Sequence, residues 1–140
     1  MTFPPELRPQ ADEDSRPYWE ALRRRTLLLP YCADCARAFF YPRSVCPRCH
    51  GAAVSWRVSS GRGVVYAVTV VHRPPSKKLA APYSVALMDL QDGCRLLMRV
   101  HPEDAGQAQV GAPAYVEFQE LDDELTMPVL RIADTTEETE

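Results

Sequence analysis

From residue 54 to the C-terminal region, apolar residues alternate with polar ones in short runs, the period of strands that bury one face. Val54, Trp56 and Val58 alternate over residues 54–60, and a β-branched run with Tyr66 embedded fills 64–72. Comparable runs at 83–91, 94–100, 110–121 and 125–133 each predict a strand. Turn residues punctuate them: Gly61 and Gly63 flank Arg62, a polar, proline-bearing loop covers 73–82, and Asp92-Gly93 suits the positive φ angles of a type I′ hairpin. Residues 101–108, with Pro102, Glu103 and Asp104 near their start, predict one or two helical turns. Before residue 54 the pattern is helical. Tyr18, Trp19 and Leu22 predict a helix over about 16–26, with Asp14 and Ser15 offering cap oxygens and Pro17 in the first turn. A short strand over 27–31 follows.

Five strands of this length, with a helical turn between the third and fourth, predict a closed barrel of the OB type. Curling shut buries one face of the sheet and removes its exposed edges. A β-sandwich usually wants about seven strands. The proline-rich leader and the acidic tail 134–140 have few apolar anchors, so mobility is expected of the first and disorder of the second.

Between helix and barrel lies the pattern Cys-x2-Cys-x10-Cys-x2-Cys, made by Cys32, Cys35, Cys46 and Cys49. A two-residue gap lets both sulfurs of a tight turn face one ion, and two such pairs at this separation point to a tetrahedral metal site. Zinc is the expected metal, with iron in a rubredoxin-like site as the alternative. Four thiolates would fill the coordination sphere and leave no position for water or substrate, which makes the metal structural. His50, beside Cys49, is not needed as a ligand. Arg37, Arg43 and Arg48 are placed to offset the charge of the thiolates. The chain thus divides into a leader and helix (1–26), a zinc ribbon (27–53), a barrel (54–133) and a tail (134–140).

Charge is uneven. The net value of −3 over 140 residues hides a segment from Arg16 to Pro82 with twelve Lys or Arg against two acids, and a segment from Tyr83 to Glu140 with three against thirteen. A basic half suits a polyanion such as nucleic acid or a phosphorylated cofactor, or it is simply solvated surface. Arg23, Arg24 and Arg25 also complement the negative end of the preceding helix. No apolar run approaches the ~20 residues of a membrane-spanning helix. The leader lacks a basic region followed by an apolar one, so the cytoplasm is expected.

No constellation of catalytic groups stands out. His50, His72 and His101 are scattered, no phosphate loop or nucleophile elbow is present, and Cys94 reads as a small packed hydrophobe. Two features suit a phosphorylated ligand. Arg62 sits between two glycines that permit close approach, and the 73–82 loop carries Arg73, Lys77 and Lys78. A turn and a solvated loop account for the same residues.

The run from Tyr18 to Leu22, the two cysteine knuckles, Ser60-Gly61-Arg62-Gly63, Thr69 to Pro74, Pro82-Tyr83 and Val116-Glu117-Phe118 resemble the DUF35 OB-fold family, acyl-CoA-associated proteins with a rubredoxin-like zinc ribbon before the barrel. The resemblance implies a mainly β chain, with an N-terminal helix, a zinc ribbon and a five-stranded OB-fold barrel. It implies a non-catalytic subunit, without catalytic residues of its own, that serves a thiolase, acyltransferase or aldolase assembly. The implied partners are a thiolase-like enzyme, a MaoC-like hydratase and acyl-CoA, in a hetero-oligomer. The four cysteines are implied as ligands of a structural Zn²⁺. Arg62, Arg73, Lys77 and Lys78 are acyl-CoA candidates on charge and position alone. The competing reading is a single-stranded nucleic-acid-binding protein, since zinc ribbons and OB folds both occur there and Tyr66, Tyr83 and Tyr115 could stack on bases. The acidic half of the chain opposes it.

Overall fold

The computed structural model describes residues 4–133. The acidic tail expected to be disordered lies outside the described residues. Helix α1 (Arg16–Arg23) buries Tyr18, Ala21 and Leu22 on one face. Burying side chains the size of Tyr18 and Leu22 stabilises by about 2 kcal/mol each, and this anchors the helix on the barrel. It ends short of the expected residue 26 because Arg24 leaves helical geometry and Arg25 takes a φ of +57°. The cap also differs. Ser15 occupies the cap position but its side chain turns back, accepting from the Asp12 N–H (3.0 Å) while Asp12 Oδ1 accepts from the Ser15 N–H (2.8 Å). This reciprocal pair does the work expected of Asp14 and Ser15.

Strands β1 (Leu28–Cys32), β2 (Arg37–Ala38) and β3 (Val54–Val58) form one antiparallel sheet in the order β2-β1-β3. The expected division at residue 54 put β3 with the barrel. It pairs instead with β1, from Leu28 opposite Val58 to Cys32 opposite Val54, because the cysteine knuckles fold the chain back beside β1.

Strands β4 (Arg62–Val71), β5 (Tyr83–Leu90), β6 (Arg95–Val100), β7 (Pro113–Glu120) and β8 (Thr126–Ile132) form a closed barrel in the order β4-β5-β6-β8-β7. Residues Arg62 to Val64 pair with Tyr115 to Pro113 and shut the barrel, while β6 and β8 run parallel. A 3-10 helix (Pro102–Gln107) bridges β6 and β7, as the helical pattern at 101–108 predicted. The β5–β6 hairpin is present, but its turn is not type I′. Gly93 N–H bonds to Leu90 C=O (3.0 Å) and Leu90 N–H to Cys94 C=O (2.9 Å), and Gly93 alone takes a positive φ, +97°. This is a three-residue loop ending in a glycine bulge.

Tyr18, Leu22, Leu27 and Leu29 join Val65, Met88, Leu96 and Leu130 in a single hydrophobic cluster, so helix, ribbon and barrel share one core. Polar contacts reinforce this. Arg37 Nη2 and the Ala38 N–H donate to the backbone carbonyls of Gly93 (2.8 Å) and Asp92 (2.9 Å) in the β5–β6 turn. The leader, expected to be mobile, is tied to the barrel side: Arg8 pairs with Asp122, and Glu6 meets the Ser76 hydroxyl (3.2 Å) and Lys78 (3.7 Å).

Candidate metal centre

Cys32 ends β1, Cys35 lies in the tight turn before β2, and Cys46 and Cys49 sit in the second knuckle. The fold brings the four sulfurs together, all within 4.8 Å of one another. Cys32 Sγ lies 3.6 Å from Cys49 Sγ, and Cys35 Sγ lies 3.8 Å from Cys46 Sγ. A zinc–sulfur bond of about 2.3 Å sets the edge of a tetrahedron at about 3.8 Å, so the cluster fits a zinc site built of four thiolates. Backbone N–H groups of Cys35, Arg48 and Gly51 point at Cys32, Cys46 and Cys49 sulfur, each at 3.4 Å. Such bonds favour the thiolate that metal requires. The Cys49 and Arg48 N–H groups lower the Cys46 thiol, whereas at Cys49 the Gly51 N–H is outweighed by the crowding of the neighbouring sulfurs, which raises it in the absence of metal.

Cys32 and Cys46 are buried with Phe39 in a small cluster beneath the sulfurs, while Cys49 is exposed. Two of the arginines expected to balance the thiolates aim their guanidinium groups at backbone carbonyls. Arg48 Nη2 reaches the Ala38 carbonyl (3.3 Å), and Arg37 grips the barrel turn. Arg43 is exposed on the same module.

The ligand candidates do not converge. Arg62 begins β4, whereas Arg73, Lys77 and Lys78 lie beyond its far end, separated from it by a ten-residue strand, at most about 30 Å at ~3.3 Å per residue. Nor do the flanking glycines leave room for a ligand. A Cβ on Gly63 would sit 2.0 Å from the Asp89 carbonyl oxygen of the neighbouring strand, so the missing side chain lets β4 and β5 meet. Gly61, at φ +72°, lies against Val116, whose N–H bonds its carbonyl at 2.8 Å. Strand packing explains Gly61 and Gly63 by themselves, independently of Arg62.

Cys94 is buried in the core cluster, and burial first, then Asp92, pushes its thiol up to about 11. It is a protonated packing group at neutral pH. His101 Nδ1 accepts the Glu103 N–H (3.2 Å), capping the 3-10 helix, and His50 and His72 lie elsewhere on the ribbon and the β4–β5 loop. Tyr66 and Tyr83 each carry a guanidinium on the ring, Arg95 at 3.4 Å and Arg99 at 4.4 Å from the centroids. The pattern of alternating strands could not reveal these stacks, because each joins side chains on different strands. Among the described residues, no helix is long and apolar enough to cross a membrane.

Comparison with known proteins agrees with this architecture. Residues 19–55 match the rubredoxin-like zinc ribbon domain of ChsH2, and residues 56–119 match the C-terminal OB-fold domain of ChsH2. A probable enoyl-CoA hydratase alpha subunit of Thermomonospora curvata is 34% identical over 131 residues, covering 94% of this chain but only 41% of that protein. A DUF35 domain-containing scaffold protein of Methanocaldococcus jannaschii is 32% identical over 92 residues, covering 61% of this chain and 65% of the relative. The chain therefore spans less than two thirds of the length of either. Among solved structures, a chain of an Ltp2-ChsH2(DUF35) aldolase superposes with a TM-score of 0.79 at 33% identity, covering 91% of this chain and 100% of that one. With a four-cysteine ribbon and an OB barrel matched in succession from residue 19 to residue 119, this chain belongs to the DUF35 family, in the form represented by ChsH2.

Proposed function

We propose that this chain is a non-catalytic subunit that binds a thiolase-like, acyl-CoA-processing enzyme and helps to position acyl-CoA. The observation that carries the reading is the superposition on the whole of a chain from the Ltp2-ChsH2(DUF35) aldolase, where a DUF35 component is joined with Ltp2. The scaffold wording of the archaeal relative supports the absence of chemistry, and the alpha-subunit wording of the hydratase relative supports assembly with another chain. Zinc on Cys32, Cys35, Cys46 and Cys49 holds the ribbon and takes no part in turnover. The exposed loop cations Arg73 and Lys77, with Lys78 beside Glu6, are the acyl-CoA contacts of this proposal; Arg62, at the far end of β4, serves a different part of the surface.

Single-stranded nucleic acid is the weaker reading. Two of the tyrosines offered for stacking, Tyr66 and Tyr83, already have Arg95 and Arg99 on their rings, so bases would have to displace them. Co-expression with a panel of thiolase-like, acyl-CoA-processing enzymes tests the proposal. The expected result is a stoichiometric complex by size exclusion, with acyl-CoA turnover by the complex and none by the isolated chain. Turnover by the isolated chain, or a lack of any complex together with salt-sensitive binding of single-stranded RNA, would sink it.

A further inference from the structure

A cleft opens at the seam where the ribbon meets the β5–β6 turn of the barrel. It holds about 470 Å³, within the range of small-molecule sites, and none of the four metal-centre cysteines lines it. Three arginines from three parts of the chain do: Arg37 of β2, Arg48 of the second knuckle and Arg95 of β6. Among the described residues that line the cleft the one carboxylate is Asp89, and Arg95 takes it, at 2.6 Å and 3.3 Å. Asp92, in the adjoining turn, does not line the cleft and accepts the Ser59 hydroxyl at 2.5 Å. Arg37 and Arg48 are thus two positive charges with no carboxylate partner among the described residues. Both are held in place. Arg37 Nε and Nη2 donate to the Gly93 carbonyl at 3.2 Å and 2.8 Å, and Arg48 Nη2 donates to the Ala38 carbonyl at 3.3 Å. These bonds leave Nη1 of each guanidinium without a hydrogen-bond partner among the described residues, and both arginines are exposed, so a ligand can reach them.

We infer that this cleft binds the phosphate group of a small monoester, with the dianion between Arg37 and Arg48 and the organic part against Phe40 and Pro47. Guanidinium N–H groups match phosphate oxygens in a fork, and two uncompensated charges suit a group that carries nearly two negative charges near neutral pH. Because backbone carbonyls already hold both side chains, binding immobilises less than it would at loose surface arginines. The inference goes beyond the proposed function: it needs no partner enzyme and leaves aside the loop cations offered there for acyl-CoA.

The test uses the full-length, zinc-loaded chain with phenyl phosphate as the probe, at constant ionic strength, read by NMR on backbone amides. Saturable shifts are expected at Arg48 and Gly93. Phenyl sulfate, the same shape with a single charge, should bind at least tenfold more weakly. Arg48→Gln should weaken phenyl phosphate at least tenfold, whereas Arg24→Gln, at the end of α1 and outside the cleft, should leave it unchanged. Should Arg48→Gln fail to fold, Asp89→Asn removes the carboxylate from the cleft and should tighten phenyl phosphate at least threefold. Equal affinity for the phosphate and the sulfate overturns the inference. So does an equal loss in Arg24→Gln, which would mark diffuse attraction to a basic surface, and so do shifts that never saturate or that fall on the 73–82 loop instead.

Discussion

Arg131 gathers three carboxylates from the acidic half of the chain: Asp104 at 2.9 Å, Glu117 at 3.0 Å and Glu103 at 3.4 Å. Burial alone would raise the Asp104 carboxyl, but the Ile132 N–H and then the Arg131 guanidinium hold it below its ordinary value of 3.8. A carboxyl depressed on folding adds stability that is fully present above that ordinary value and is lost as pH falls through the folded one. Asp104→Asn should therefore cost about 2 kcal/mol near neutral pH and progressively less in acid, where the parent loses the same contribution. Urea unfolding of both proteins across this range checks it; parallel curves would contradict the assignment. The charge imbalance was legible in the sequence, but this compensation was not, because Arg131 and its partners come from three separate segments. Gly63 carries the same lesson. Its permissiveness was evident, while the Asp89 carbonyl that requires it lies on another strand.

Among elements, the β5–β6 turn has the largest structural role, for it is both a hairpin of the barrel and the seat of the ribbon. Asp92-Gly93 announced the hairpin in the sequence. What local pattern could not supply was the three-residue loop, whose shape is adapted to Arg37 and Ala38 reaching across from β2. A Cβ at Gly93 would lie 2.9 Å from Arg37 Cβ at a φ of +97°. Gly93→Ala should destabilise by about 2 kcal/mol. It should also raise hydrogen exchange at the Ala38 N–H while β7 and β8 keep their protection. Gly106→Ala, with nothing within 4 Å, is the neutral control. Strand existence was readable from alternation throughout. Membership was not: β3 alternates like a barrel strand, and only the closure of the cysteine knuckles beside β1 shows where it belongs.

For the molecule as a whole, the shared core makes the metal a determinant of barrel stability as well as ribbon order. Leu27, Leu29 and Ala38 belong to the same cluster as Val65, Met88 and Leu96. Removing zinc with a chelator should lower the stability of the entire chain by several kcal/mol, less than the roughly 10 kcal/mol that structural zinc supplies to isolated fingers. Ribbon and barrel probes should report one coincident transition. Two separate transitions would show that the modules fold apart.

The closure of β4 against β7 has a consequence during synthesis. Strand β4 can pair with β5 early, but its other edge must wait for β7, made well after β5, since Arg62 pairs with Tyr115. The four cysteines of the metal centre precede residue 50 and have left the ribosome before then. At the pace of chain elongation, about 5–20 residues per second, the nascent ribbon can acquire its metal seconds before the barrel has an edge to close.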